Sequence, residues 1–166
     1  MAKKIQIILI IIFSILGIIL SGTLTLAKYN NDIAAICGDD ISNSCNTVQN
    51  SNYSSLLKLD DSQGNTKFQF PLSLAGMFFY IIVLGLSIIL LKNFNNKKYT
   101  KLLYVIFVFG FIGVFTSAYY TWIQAYKIEA FCKYCLISAF DSLMIFLLLS
   151  SILFNKAKGF YKKNID

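Results

Sequence analysis

The chain has 166 residues, enough for one domain, and 57% of them are hydrophobic while only 14% are charged. This balance excludes an ordinary soluble globular protein and indicates that lipid surrounds most of the chain. The net charge of +7 comes from lysines at the ends of hydrophobic segments, so we expect no nucleic-acid partner. Histidine is absent, which excludes His-based catalytic dyads, most zinc enzymes and haem ligation by His.

Four apolar segments predict four helices, each long enough to cross about 30 Å of hydrocarbon. They cover residues 5–27, 71–91, 102–122 and 132–154. Pro71 suits the first turn of the second helix, because no N–H donor is needed there. Between the segments lie a polar loop over 31–70, a short basic turn over 92–101 and a brief polar break over 124–129. The sequence therefore predicts an all-α membrane protein, a single domain over 1–166 built as a four-transmembrane-helix bundle.

The distribution of lysines predicts how this bundle sits in its membrane. Most of the lysines lie at the two termini and in the short middle turn, whereas the longer polar stretches also carry most of the acids. Because lysine-rich short segments stay in the cytoplasm, we expect both termini inside and the long loop outside. Four aromatic residues suit the outer membrane interface: Tyr119, Tyr120, Trp122 and Tyr126.

The first apolar segment has a second interpretation. Lys3 and Lys4, the apolar run and Thr25-Leu26-Ala27 together resemble a cleavable signal peptide. The apolar run is longer than a usual signal core, and Thr25 is a weak residue at the outer small-residue position. We therefore expect this segment to remain as the first span.

The predicted topology places all four cysteines at the outer face, where conditions favour disulfides. Four cysteines allow three connectivities. Cys132 and Cys135 are three residues apart where a helix begins, which allows a disulfide across the first turn. The positive end of the helix dipole and the neighbouring Lys133 favour the thiolate of Cys132. A disulfide with such a leaving group is easily opened.

The other two cysteines, Cys37 and Cys45, lie in the long loop and are separated by residues rich in Gly, Asn and Ser. A flexible segment of this kind lets a disulfide face a soluble partner in one pose and Cys132 in another. Two pairs on one side of a bundle are what a protein needs to pass electrons by thiol–disulfide exchange. This is the interpretation that we favour.

Three other interpretations use the same cysteines. Two structural disulfides would also account for four cysteines, although a disulfide within a Cys-x-x-Cys at a helix start is strained and is not a favoured structural cross-link. A four-thiolate zinc or iron–sulfur site usually has two short Cys-x-x-Cys pairs, and the first pair here is wider, so we expect no metal. A non-enzymatic membrane subunit with outer disulfides would keep all four cysteines oxidised under thiol challenge.

Several motifs, taken in order, resemble those of the bacterial homologues of vitamin K epoxide reductase, which are membrane quinone reductases. The resemblance covers about residues 5–155. Its motifs are the pair Cys37 and Cys45, then Cys45-x-x-Val48-x-x-Ser51-x-Tyr53, then Phe70-Pro71-Leu72-Ser73-Leu74-Ala75-Gly76 with Tyr80, and Phe131-Cys132-Lys133-Tyr134-Cys135-Leu136-Ile137-Ser138-Ala139.

The resemblance implies a relay in a bacterial cytoplasmic (inner) membrane. A thioredoxin-like, DsbA-like partner outside the cytoplasm attacks the Cys37–Cys45 disulfide at Cys37. Cys45 then attacks Cys132, and Cys135 is released as a thiolate beside a quinone, either ubiquinone or menaquinone. Ser51 would position the loop. By the resemblance, the vertebrate enzymes carry an Asn at the position of Leu72 and a Tyr near the position of Ala139 or Phe140. We therefore expect quinone reduction rather than epoxide reduction.

The quinone contacts are predicted from the helix that carries the last two cysteines. Ala139 and Ser142 project on about the same face as the cysteines, since a helix turns roughly 100° per residue. Ala139 would leave room for a flat ring and Ser142 would donate a hydrogen bond, although small-residue helix packing explains both equally well. Phe79 is a candidate for stacking on the ring, with Phe78 and Phe115, although in a chain with fifteen Phe an aromatic side chain more often only fills space.

Asp141 is the only acid inside a predicted span. An intramembrane acid is a functional candidate by default. Because it faces away from the cysteines, we favour a hydrogen-bonded packing role over proton delivery.

The DsbB family performs the same overall task on a similar four-helix scheme. It carries its Cys-x-x-Cys in the first outer loop and uses an arginine near the quinone. Here the order of the pairs is reversed and arginine is absent.

Overall fold

The computed structural model of the protein describes residues 2–29, 47–48, 51, 53–60, 66–92 and 98–163. Cys37 and Cys45 lie outside these residues. The elements, in chain order, are helix α1 (Ala2–Tyr29), strands β1 (Ser55–Asp60) and β2 (Thr66–Pro71), helix α2 (Leu72–Lys92), helix α3 (Lys98–Ile123), a π-helix (Gln124–Ile128) and helix α4 (Lys133–Lys163).

The four long helices form a closed ring in which each helix packs against two others. Helix α1 contacts α2 and α4, and α3 contacts the same two helices from the other side. Within the described residues four helical segments are long and apolar enough to cross a membrane: Lys4–Lys28, Leu72–Lys92, Thr100–Ile128 and Lys133–Lys156. The predicted four-helix membrane bundle is confirmed.

The main core fills the half of the bundle that is remote from Cys132. It joins the first half of α1 to the middle and second half of α2, and the first half of α3 to the middle and second half of α4. Its buried residues are Ile7, Ile10, Tyr80, Val83, Leu90, Leu103, Ile106, Ile145, Leu149 and Ile152. This pairing of helix halves requires neighbouring helices to alternate in direction. The two ends of the described chain therefore lie at the same end of the bundle.

The outer surface of the bundle is apolar, as expected where lipid is the solvent. Large side chains that are more than 40% exposed occur on every long helix, among them Ile12, Ile82, Ile112 and Leu147. In water such a surface would mark an interaction or aggregation site. On four helices of membrane-spanning length it marks the face toward the acyl chains.

The long loop contains an antiparallel hairpin that the hydropathy pattern did not predict. Strands β1 and β2 pair with register shifts between Ser55 and Leu57 and between Leu59 and Asp60. The alternation of Thr66-Lys67-Phe68-Gln69-Phe70 is a strand signal, and Gly64 and Asn65 before it are turn residues. Pro71 ends β2 rather than opening the second helix, which begins at Leu72.

The predicted polar break over 124–129 is wrong in its position. Residues 124–128 continue α3 as a π-helix, and the chain turns at Glu129, which has a left-handed backbone conformation with φ 54° and ψ 26°. Backbone hydrogen bonds do not depend on side-chain polarity, so a helix can continue where the apolar pattern stops. For the same reason α4 reaches Lys163, well beyond the predicted end at residue 154.

Candidate redox site beside a membrane cavity

A cavity of about 400 Å³ lies in the half of the bundle that carries Cys132 and Cys135. All four helices contribute to its walls, and residues of the loop before β1 close one side. Apolar groups such as Phe79 and Ile112 alternate with hydroxyl and amide groups such as Ser138 and Gln124. The volume and the mixed lining suit the head group of a small aromatic ligand.

Cys132 is the residue that immediately precedes α4, and it caps that helix. Its carbonyl accepts the first helical hydrogen bond, from Leu136 N at 3.0 Å. Its Sγ accepts a hydrogen bond from Cys135 N at 3.4 Å, which is the role of a side-chain oxygen at an N-cap. This donor and the helix dipole both favour negative charge on the Cys132 sulfur.

The two cysteines of α4 have different surroundings. Cys132 is fully buried in an apolar cluster with Leu24 and Ala27 of α1, Val48 of the loop and Ala130. Cys135 is half-buried and lines the cavity. It carries a free thiol, so the expected Cys132–Cys135 bond is open in this structure. One cysteine therefore faces the loop and the other faces the cavity.

Gln124 joins the end of α3 to the start of α4. Its Oε1 accepts a hydrogen bond from Cys132 N at 3.2 Å, although the residues are eight apart in sequence. The side chain is 5% exposed and lines the cavity. The sequence did not identify Gln124 as a residue of the site. It reaches the site because a π-helix prolongs α3, and hydropathy does not predict a π-helix. A polar amide next to an apolar run was the only available signal.

The loop reaches the site through Val48 and Ser51. Ser51 Oγ donates to Val48 O at 2.7 Å, Ser54 N donates to Ser51 O at 3.1 Å, and Leu72 N donates to Ser54 O at 2.9 Å. These bonds tie the loop to the first turn of α2, and Ser51 itself lines the cavity. The geometry is compatible with the predicted positioning role of Ser51, which stays a prediction.

Tyr80 lines the cavity and crosses the bundle between α1 and α4. Its Oη donates to Ser138 O at 2.8 Å and lies 3.0 Å from Ser138 Oγ on α4. The ring packs against α1 at Gly17, where a Cβ would come within 2.5 Å of it. One side chain of α2 thus joins α1 and α4.

The three predicted ring contacts all line the cavity: Phe79, Ala139 and Ser142. Phe79 packs against Gly113, where a Cβ would come 2.5 Å from its Cζ. Ser142 Oγ donates to Ala139 O at 2.8 Å and contacts Ser117 Oγ at 3.1 Å. Its hydrogen is therefore directed at its own helix, and the prediction that Ser142 donates to a ring is not supported by this arrangement.

The other candidates lie away from the cavity. Phe78 and Phe115 are 51% and 62% exposed on the lipid-facing surface and do not line the cavity, which agrees with the alternative that they only fill space. Asp141 is 3% exposed, and its Oδ2 has no hydrogen-bond partner among the described residues. The predicted hydrogen-bonded packing is therefore not seen for that oxygen.

The four predicted belt residues lie near the site end of the third span. Tyr119, Tyr120 and Trp122 are in α3 and Tyr126 is in the π-helix, and the rings of Trp122 and Tyr126 are 5.6 Å apart. Tyr120 also lines the cavity.

Comparison with known proteins identifies the family. The sequence model of the vitamin K epoxide reductase family matches residues 8–150, which is most of the chain and includes both cysteine pairs. A search of curated proteins finds no significant match. The family consists of membrane thiol oxidoreductases linked to a quinone, and the protein is a multi-pass membrane oxidoreductase of that kind. By its sequence, its four spanning helices and its Cys-x-x-Cys at a helix start, the chain belongs to the vitamin K epoxide reductase family.

Proposed function

We propose that the protein reoxidises a thioredoxin-like, DsbA-like partner and passes the electrons to a membrane quinone, ubiquinone or menaquinone, in support of disulfide formation. The observation that carries this proposal is the division of roles at the start of α4. The Cys135 thiol lines a cavity of ring size, while Cys132 is buried against the loop. A thiol that lines a cavity inside a membrane bundle is where electrons can leave protein sulfur for a membrane-soluble oxidant.

The proposed relay begins at the loop pair. A partner thiolate attacks Cys37 and breaks the Cys37–Cys45 bond, and the second partner thiol then displaces Cys37 to complete the partner's disulfide. Cys45 attacks Cys132 of the Cys132–Cys135 disulfide and releases Cys135 as a thiolate. Cys45 is three positions before Val48, a reach of at most about 11 Å, and Val48 packs in the same cluster as Cys132.

The last steps return both pairs to their starting state. Cys37 attacks Cys45, which restores the loop disulfide and leaves Cys132 and Cys135 as a dithiol. This dithiol gives two electrons to the quinone, the Cys132–Cys135 bond forms again, and two protons complete the quinol. The partner dithiol is oxidised to a disulfide and one quinone is reduced, so electrons and protons balance.

The cavity favours a plain quinone over an epoxide as the oxidant. Leu72 and Ala139 both line it and present only apolar side chains. These are at or near the positions where the vertebrate enzymes, by resemblance, carry Asn and Tyr. Phe79 and Ala139 are the proposed ring contacts.

We also propose a location and an orientation. The ends of the described chain share one end of the bundle with most of the lysines, and the cysteine site lies at the other end. By the positive-inside rule the termini face the cytoplasm and the site faces outward. The proposed location is the cytoplasmic membrane of a bacterium, as the resemblance to the bacterial members of the family implies.

The experiment that tests this function is quinone reduction by the purified protein supplied with a small dithiol. Wild type is expected to turn over, and Cys135→Ala is expected to lose turnover by at least about 100-fold because no other thiol lines the cavity within the described residues. Thr23→Ala serves as the control, because that exposed hydroxyl bonds only within α1. Turnover by Cys135→Ala at the wild-type rate would contradict the proposal.

A further inference from the structure

The orientation of the Gln124 carboxamide is fixed by its partner. A backbone N–H can only donate, so the atom 3.2 Å from Cys132 N must be the amide oxygen. The NH₂ group consequently forms the other branch of the side chain. Among the described residues the side chain is seen to make one hydrogen bond, through Oε1, and the residue is 5% exposed and lines the cavity. A buried amide with two further N–H donors at a cavity wall points to an acceptor on the occupant.

Several other polar groups of the cavity wall already donate elsewhere. The hydroxyls of Tyr80, Thr121 and Ser142 donate to the carbonyls of Ser138, Ser117 and Ala139. Each hydroxyl has a single hydrogen, so none of the three can also donate to a ligand in this arrangement. Other polar groups also line the cavity, among them Lys28, Tyr53 and Thr116. The rivals chosen for comparison are Ser54, whose buried Oγ has no partner among the described residues, and Tyr120 on α3.

The backbone holds Gln124 in place for such a contact. It is the first residue of the π-helix, and that helix ends at the left-handed Glu129. Ala130, one residue further, is buried in the cluster that contains Cys132. Since π-turns inside longer helices are frequent at functional sites, this local departure from α-geometry is consistent with a positioned side chain.

We propose that Gln124 binds the quinone directly, through a hydrogen bond from its Nε2 to a ring carbonyl oxygen, while its Oε1 holds Cys132 N. This inference rests on the proposed function, in which the cavity holds the quinone. One side chain then connects the oxidant to the residue that caps α4. As electrons enter the ring, negative charge develops on the carbonyl oxygen, and a preorganised N–H donor stabilises that charge.

The test compares two ligands of the same shape in wild type and in Gln124→Met. The ligands are 2-methyl-1,4-naphthoquinone and 2-methylnaphthalene, which share their fused rings and methyl group and differ in the two carbonyls. Binding is measured in the same lipid nanodiscs, so partition into lipid cancels when variant and wild type are compared for one ligand. The substitution is expected to weaken quinone binding about 3- to 10-fold and to leave hydrocarbon binding unchanged.

The two ligands separate a hydrogen bond from a structural role. If Gln124 only supported Cys132, the substitution would weaken both ligands alike, and that result would overturn the proposal. Selective loss in Ser54→Ala or Tyr120→Phe, with none in Gln124→Met, would also overturn it. An independent readout is the carbonyl stretch of the bound quinone, which should lie lower in wild type than in Gln124→Met. A wild-type stretch equal to that in hydrocarbon solvent would contradict the proposal without any variant.

The wild-type measurement also distinguishes this inference from the function on which it rests. If wild type binds the quinone no better than the hydrocarbon and does not reduce it, the proposed function fails. If wild type binds and reduces the quinone while Gln124→Met keeps the full preference for it, only the role of Gln124 fails.

Discussion

At the scale of single residues, Cys132 combines a chemical role with a structural one. Its sulfur accepts the Cys135 N–H as a capping oxygen would, and its own N–H is held by Gln124. Attack on this sulfur therefore disturbs the first turn of α4, which also carries Cys135.

The spacing of Cys132 and Cys135 could be predicted from the sequence because it is local. The Gln124 contact could not, because it depends on the π-helix that carries this residue toward α4.

Glu129 supplies a prediction about the turn that ends this π-helix. Among the described residues it is the only one other than glycine with a positive φ, at 54°. A side chain costs about 1–2 kcal/mol in this region, whereas glycine adopts it freely at some loss of chain entropy. Glu129→Gly is therefore expected to stabilise the fold by up to about 1 kcal/mol, seen as a higher thermal unfolding midpoint in detergent.

The neighbouring Ala130 is the matched control for that substitution. It is 7% exposed, packs in the cluster with Cys132 and lacks a positive φ. Ala130→Gly should lower the midpoint, because it removes buried contacts and adds freedom to the unfolded chain. Equal midpoint changes of the same sign in both variants would show that the left-handed conformation of Glu129 carries no cost.

At the scale of elements, the close approach of α1 and α2 depends on a glycine. A Cβ at Gly17 would come 2.5 Å from two carbons of the Tyr80 ring. This ring is 2% exposed and fixed at its far end by Ser138, so it cannot move aside freely. Gly17→Ala is expected to destabilise the protein by about 1–3 kcal/mol, measured as a lower unfolding midpoint in lipid nanodiscs.

Gly22 on the same helix provides the comparison. A Cβ there would meet nothing within 4 Å, so Gly22→Ala should leave the midpoint unchanged or raise it slightly through better helix propensity. If both variants behaved alike, the contact between Tyr80 and α1 would not limit the packing of the bundle.

The elements also show where hydropathy is informative and where it is not. Long apolar runs predicted α1 to α4 because lipid requires a continuous hydrogen-bonded helix across the membrane. The hairpin was not predicted because Ser55–Asp60 and Thr66–Pro71 are short strands within a polar stretch. Outside lipid the chain need not form a continuous apolar helix, so hydropathy says little about its structure there. The π-helix that continues α3 was missed for a related reason, since polar residues can continue a helix toward water.

At the scale of the whole molecule, the closed ring of helices separates two regions with different tasks. The half that carries the termini is a dense aliphatic core, and the other half contains the cavity and the cysteine cluster. The first half fixes the helix positions, and the second leaves room for a ligand at Cys135. The sequence predicted that all four cysteines share one side, and the packing of Val48 on Cys132 agrees with this for the part of the loop that the structure describes.

The central claim is that Cys132 and Cys135 give their electrons directly to a quinone. The most direct measurement is a single turnover without oxygen, in which fully reduced protein with Cys37 and Cys45 both replaced by Ser receives one equivalent of a short-chain quinone. The account predicts one quinol formed for every two thiols lost, with the new bond between Cys132 and Cys135 located by mass spectrometry. Unreduced quinone together with two intact thiols would contradict it.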